Sequence, residues 1–321
     1  NNYYVWFISD DKHTEGDITY EIEFTDLYGN NGQKVIGPID DNSSQISGKV
    51  RLDKSNPNII DISMQSDNAN TTFANVGNTV TLTFGALEDG IPTVTFTSGT
   101  TDINSDRISV IPHPDGGNKW EASYEVVSDD DDGTVSYTIN FKDLVNYSAP
   151  EKSGNGSVTV DMTPPTISAT LETSVGDGVK VLGSFSVNEP VTLEITGNDK
   201  DKINLTSDSE GTTILQYISS GKYITDPDNS IVENTTIYVL LKNTSSITQR
   251  VYNYTITATD GAGNTKSIDE TLTIVDTTSP NIVSSNLVSA IDDGTNALGS
   301  VSADEDVTWS IENSDDGADV Q

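Results

Sequence analysis

The chain has 321 residues, 33% of them hydrophobic, no cysteine, and a formal net charge of -34. So modest an apolar fraction suits two-layer β structure, where alternate residues face water. Absence of cysteine excludes disulfide mini-domains and zinc–thiolate sites, and a surface this acidic repels phosphate, which excludes nucleic-acid partners.

The acidic excess runs along the whole chain, and residues 276–321 contain no Lys or Arg. It attracts cations and discourages strand edges from pairing between molecules. No apolar run approaches the roughly 20 residues needed to span a bilayer, so direct membrane insertion is not expected of this segment.

A punctuation mark divides the chain. Three times an Asp, a short polar step and a Pro open an extended apolar segment: Asp53 with Pro57 and Ile59, Asp161 with Pro165 and Ile167, Asp276 with Pro280 and Ile282. Intervals of about 108 and about 115 residues imply beads of one domain each, not a solenoid of small units. The expected segments are 1–52, 53–160, 161–275 and 276–321, with the middle two complete and the outer two partial.

Residues 1–52 match the second half of the next unit. The run from Glu15 to Leu27 aligns with that from Asp132 to Leu144, and Val50–Asp53 aligns loosely with Val158–Asp161. The chain is therefore expected to begin partway through a domain, with its missing half supplied by preceding chain or by a partner.

Segment 53–160 shows period-two alternation throughout. Expected strands are 59–64, 79–84 with Val80, Leu82 and Phe84 on one face, 92–97 with Val94 and Phe96, 119–127 with Trp120, Ala122, Tyr124 and Val126, 134–141 with Val135, Tyr137, Ile139 and Phe141, and 156–161. About seven such strands with turn residues between them signal an all-β fold, a two-sheet sandwich. Stretches 98–118 and 198–230 are the longest irregular runs, hence contact loops or inserted strands.

Segments 161–275 and 276–321 share a different pattern: Leu182–Ile195, containing Glu189, recurs as Leu298–Ile311, containing Glu305. The run 251–259 places Tyr252, Tyr254, Ile256 and Ala258 on one face, which fits the tyrosine-corner position of a sandwich.

Segments 1–52 and 53–160 thus resemble the Ig-like repeats of large bacterial, archaeal and phage surface proteins. The resemblance lies in Gly77–Phe84, the Trp120 strand, and Asp132–Asp143. Segments 161–275 and 276–321 resemble the cadherin-like repeats of giant marine adhesins, through the Glu189 and Glu305 motifs, Gly197–Asp201, Thr225–Asp228, and Ala258–Asn264. The resemblance implies a string of Ig-like and cadherin-like sandwiches from an adhesin or S-layer protein. It also implies Ca2+ between successive domains, with Glu189, Asp260 and Asp276 converging near the junction of 161–275 with 276–321. Asn264 would add a carbonyl oxygen there, and Glu305 is the equivalent of Glu189 in the next unit. The DRE triplet and DxNDN linker of cadherins are missing here. The alternative for 260–264 is a tight turn, with Gly261 and Gly263 at positive φ and Asp260 capping.

The run Asp129–Gly133 imitates an EF-hand, but the spacing rejects it. With Gly133 as the loop glycine, the first ligand position is Ser128 and the closing-Glu position is Ile139. A solvated hairpin loop is expected there, as at Asp40–Asp41, Asp292–Asp293 and Asp315–Asp316. His13 and His113 stand in no nucleophile motif and read as loop histidines. The N-x-S/T sequons, at Asn42, Asn70, Asn146, Asn155, Asn204, Asn234, Asn243 and Asn253, are about what a Ser/Thr-rich chain yields by chance. No catalysis is expected. The leading function is a non-catalytic, extracellular structural or adhesive repeat protein whose partners are neighbouring copies, other surface proteins, glycans and divalent cations. A virion fibre or decoration protein, and a spacer array of a secreted enzyme, are the alternatives.

Overall fold

The computed structural model describes residues 4–37, 50–219, 222–224, 234–242, 250–287 and 299–310. The chain divides into two compact units, residues 1–163 with 261–263, and residues 164–260 with 264–321.

The first unit opens with four short strands, β1 (Gly16–Asp17), β2 (Tyr20–Ile22), β3 (Val35–Gly37) and β4 (Arg51–Leu52). β1 pairs with β4 and β2 with β3, both antiparallel. A sandwich of nine strands follows: β5 (Ile59–Ser66), β6 (Phe73–Ala74), β7 (Thr79–Ala86), β8 (Gly90–Ser98), β9 (Thr101–Asp102), β10 (Ser109–Pro112), β11 (Lys119–Glu125), β12 (Gly133–Asp143) and β13 (Lys152–Val160). One sheet has the order β10-β11-β7-β5 and the other β6-β13-β12-β8-β9. Lettered A, A′, B, C, C′, D, E, F and G in chain order, these sheets are A-B-E-D and A′-G-F-C-C′. That is the immunoglobulin-type arrangement.

Alternation puts Val80, Leu82 and Phe84 of β7 into the space between the sheets, opposite Val135, Ile139 and Phe141 of β12 and Phe96 of β8. Each such side chain contributes about 1.5–3 kcal/mol by leaving water. Tyr137, on the same side of β12 as Val135 and Ile139, is only half-buried. A register shift between Thr134 and Ser136 disturbs the β12–β13 ladder beside it. The stretch 98–118 holds two strands, β9 and β10, and a 3-10 turn at Ser105–Arg107. Both strands lie at sheet edges, where one face or one side needs no apolar partner and alternation lapses.

The second unit contains β14 (Ile167–Leu171), β15 (Ser174–Gly176), β16 (Val181–Val187), β17 (Thr192–Thr196), β18 (Ile203–Thr206), β19 (Gln216–Ser219), β20 (Lys222–Ile224), β21 (Ile237–Leu241), β22 (Arg250–Thr259) and β23 (Thr265–Val275). They form two sheets, β14-β16-β21-β18 and β15-β23-β22-β17-β20-β19. The A-B-E-D and A′-G-F-C order recurs, extended by a β19–β20 hairpin on the edge. The core gathers Leu182, Phe185, Leu193, Ile195, Leu205, Val239, Tyr254 and Ile256. Beyond it, β24 (Ile282–Leu287) pairs with β25 (Gly299–Ala303).

The recurrent Leu-Gly-Ser motif now has a physical basis. Gly183 and Gly299 both sit at φ +131°, and a Cβ there would meet the carbonyl oxygens of Thr170 and Asn286 on the paired strand. The tyrosine corner is not formed by Tyr254, whose hydroxyl is buried without a hydrogen-bond partner, whereas a corner tyrosine bonds back to backbone. Among the described residues no helix is long and apolar enough to cross a membrane.

Candidate functional site

The same loop is built three times. Asp26, Asp143 and Asp260 each follow a strand residue and start a turn. In each, the Asp backbone N–H donates to the carbonyl of the residue four positions on: Asn30 at 2.9 Å, Tyr147 at 3.0 Å and Asn264 at 3.1 Å. The Oδ1 of each Asp accepts that residue's N–H at 2.8 Å. The residue just before the closing one lies at positive φ: Gly29 at 88°, Asn146 at 73°, Gly263 at 92°. Gly261 does not share this conformation. The tight turn expected at 260–264 therefore exists, with Asp260 as its cap.

The three turns differ at one atom. Asn30 and Asn264 close theirs by donating a side-chain N–H to the second carboxylate oxygen of Asp26 and Asp260, each at 2.8 Å. Asn264 thus faces Asp260 as a donor. In the middle turn the closing residue is Tyr147, which has no amide. Asp143 Oδ1 takes the N–H groups of Val145 and Tyr147, both at 2.8 Å. Its Oδ2 is buried with no hydrogen-bond partner, in a residue only 4% exposed.

Two further acids meet Asp143. Asp53 sits between β4 and β5, where its Oδ1 accepts the N–H of Ser55 at 3.1 Å. Glu88 stands two residues beyond the end of β7. Carboxylate oxygens of Asp53, Glu88 and Asp143 lie within 4.8 Å of one another. Burial pushes the Glu88 carboxyl up from its ordinary pKa, and Asp53, Asp143 and Glu15 push it further. Glu15 is held nearby by the Ser55 hydroxyl, which donates to Glu15 Oε1 at 3.1 Å. The Lys54 ammonium is turned to the carbonyls of Asp10 and His13, both at 2.7 Å, instead of to these acids.

The residues named from sequence fall into two places in the second unit. Glu189 and Asp260 have carboxylate oxygens within 4.8 Å of each other. Asp276 meets Glu305 instead; a hydrogen bond with Asp276 raises the Glu305 pKa, with burial, Asp304 and Asp177 adding to it. Asp177 is held by the backbone N–H of Thr277 at 2.9 Å and by the hydroxyls of Thr277 and Thr278. The expected convergence of Glu189, Asp260 and Asp276 does not occur, because Asp260 and Asp276 lie beyond opposite ends of the 11-residue strand β23. At about 3.3 Å per residue that strand separates them by roughly 36 Å.

Glu88 escaped the sequence reading, although a signal exists. Glu88, Glu189 and Glu305 each stand two residues after the last residue of β7, β16 and β25. Aligning strand ends instead of flanking motifs would have joined Leu87-Glu88-Asp89 to the other two.

The acidic run 129–132 is a loop with Asp129 and Asp132 exposed, but Asp130 is not solvated. Asp130 is 6% exposed and receives both Arg107 guanidinium nitrogens, each at 2.7 Å, while its Oδ2 also accepts the Val127 N–H at 2.9 Å. Burial pushes its pKa up, but the Arg107 and Val127 hydrogen bonds outweigh burial and hold it below the ordinary carboxylate value. Asp131 Oδ2 accepts the hydroxyls of Thr100 and Thr101, both at 2.7 Å, and Asp132 takes the Met162 N–H at 2.8 Å. Asp40–Asp41, Asp292–Asp293, Asp315–Asp316 and Thr225–Asp228 lie outside the described residues. His13 Nδ1 accepts the Asp10 N–H at 3.1 Å and His113 Nδ1 the Asp115 N–H at 3.2 Å, so both close local turns.

These features define the class: tandem immunoglobulin-like β-sandwiches. The structure is similar to an I-band fragment from titin, at 15% identity and a TM-score of 0.38, over 70% of this chain and 66% of that one. It is also similar to a three-Ig E-to-A variant of titin, at 15% identity and TM-score 0.40, over 74% and 71%. A third similar structure is Dpr2 Ig1–Ig2 in complex with DIP-Theta Ig1–Ig3, at 14% identity and TM-score 0.35, over 71% and 69%. No protein-family model matches the chain, and no curated protein matches it.

Proposed function

We propose that this chain is a non-catalytic structural or adhesive repeat segment displayed outside the cell, as in an adhesin or S-layer protein, and that its work is mechanical. The supporting observation is repetition: one sandwich plan is built twice, each time around its own closed core. Calcium taken up by the clustered acids, including Glu189 with Asp260 and Asp276 with Glu305, stiffens the chain by neutralising carboxylates that otherwise repel. Neighbouring copies, other surface proteins or glycans are the partners of such a segment.

Two measurements test the reading. Antibody to this chain is expected to label intact cells by immunogold microscopy; label confined to the cytoplasm would overturn surface display, and label on virions would favour a fibre or decoration role. Small-angle scattering of the chain is expected to show a larger, better-defined maximum dimension in calcium than in EDTA. Identical curves would end the stiffening idea.

A further inference from the structure

We propose that Asp53, Glu88 and Asp143 form a calcium site at one end of the first sandwich, completed by the Asp143 Oδ2 that the Asp143–Tyr147 turn leaves open. None of these three residues is among the calcium ligands expected from the sequence.

The argument begins with the turn. Its two counterparts fill the second carboxylate oxygen of Asp26 and Asp260 with an Asn side-chain donor. Tyr147 at the closing position leaves the equivalent oxygen of Asp143 buried and unbonded. A buried carboxylate oxygen without a partner is costly unless something positive or hydrogen-bonding occupies it. Instead of a donor, the neighbours of the Asp143 carboxylate are two more carboxylates, with one oxygen from each of the three lying within 4.8 Å of the others. Lys54, the cation nearest in sequence to Asp53, is engaged elsewhere.

The donor set selects the ion. Oxygen alone, without imidazole or thiolate, suits a hard cation. Ligand oxygens no more than 4.8 Å apart fall within the span that two oxygens on one calcium ion can have, about twice the Ca–O distance of about 2.4 Å. Half-exposed Asp53 and Glu88 leave room for water and backbone carbonyls to complete six to eight ligands. Their origin gives the ion a role: Asp53 comes from the segment entering the sandwich, Glu88 from the β7–β8 connection and Asp143 from the end of β12. One ion ties all three. The role as a stiffener rests on the proposed function; the binding itself does not.

The test uses the whole chain, stripped with chelator and titrated with Ca2+. Hydrogen-exchange mass spectrometry is expected to show slowed exchange in peptides covering 53–56, 86–91 and 142–148, half-saturating at about 0.1–1 mM, as in extracellular modules. Asp143→Asn keeps the carbonyl that accepts the Val145 and Tyr147 N–H groups, so the turn survives. It also removes one of three crowded charges and adds a donor for the others. It is expected to raise the Tm in EDTA and to abolish the calcium response of these peptides, a pairing that loss of a structural contact would not give. Should Asp143→Asn fail to fold, Glu88→Gln in the connecting loop is expected to weaken binding at least tenfold. Peptides indifferent to calcium in the folded wild-type chain, or responding equally in the variants, would overturn the site. That result leaves surface display standing, and cytoplasmic label leaves the site standing.

Discussion

The two complete sandwiches share a strand order but not their polar ties. In the first, a 3-10 turn ending at Arg107 leads into β10, and Arg107 reaches the buried Asp130 with two hydrogen bonds and another to the Glu125 carbonyl. In the second, a matching 3-10 turn at Lys200–Lys202 leads into β18, but its cap residue Asp199 receives the Asn253 N–H at 2.9 Å, with Arg250 only 3.8 Å away. Apolar alternation therefore suffices for the topology. Each sandwich then fastens its connections with whatever polar groups its own loops supply. What does recur is the acid set at one end, an Asp turn after the penultimate strand and a Glu two residues beyond the third.

That comparison breaks most plainly in the cores. Leu82→Ala and Leu193→Ala each truncate a side chain with no exposed surface and are expected to cost about 2–5 kcal/mol. Because the two cores share no residue, urea titration followed by peptide-resolved hydrogen exchange should show each change destabilising its own sandwich. Parallel loss in both would show one cooperative unit.

Arg107→Ala comes next. It strands an Asp130 side chain that is 2% exposed, and the expected cost is about 2–3 kcal/mol, moderated because the guanidinium is itself 30% exposed. The second sandwich should not change. Asp130 also sets an acid limit. Its folded pKa lies below the unfolded value of about 3.9, so its stabilisation is full above that value and is lost as pH falls through the folded pKa. In Arg107→Ala only the Val127 N–H still opposes burial, so Asp130 loses most of what holds its pKa down. The deficit of Arg107→Ala in the first sandwich, read from exchange of its β11 and β12 peptides, should therefore be largest at neutral pH and narrow as pH falls through the folded pKa of Asp130. The smallest effect distinguishes the turns: Gly263→Ala, with open space around its Cβ but φ at +92°, should cost about 1–2 kcal/mol, while Asn146→Gly should change stability by under about 0.5 kcal/mol.

The sandwich was legible because it rests on side-chain parity. Val80, Leu82 and Phe84 alternate in sequence and are buried together in space. Edge strands such as β10, where Ile111 is exposed and Pro112 ends the strand, carry no such signal. The Asp260 turn was legible from its glycines. Its counterpart at Asp143 was not, because Asn146 takes the positive φ and Tyr147 hides the missing amide. Asp130 misled for another reason: nothing local in a run of four acids tells which one an arginine 23 residues earlier will claim.

The second and the last strands of each sandwich run side by side in the same direction. β6 pairs in parallel with β13 and β15 in parallel with β23. Tension drawn from the two ends of such a sandwich loads these ladders in shear, so their hydrogen bonds must fail together instead of opening one by one like a zip. A short parallel patch therefore serves as a latch, and the bonds it contains resist pull out of proportion to their number.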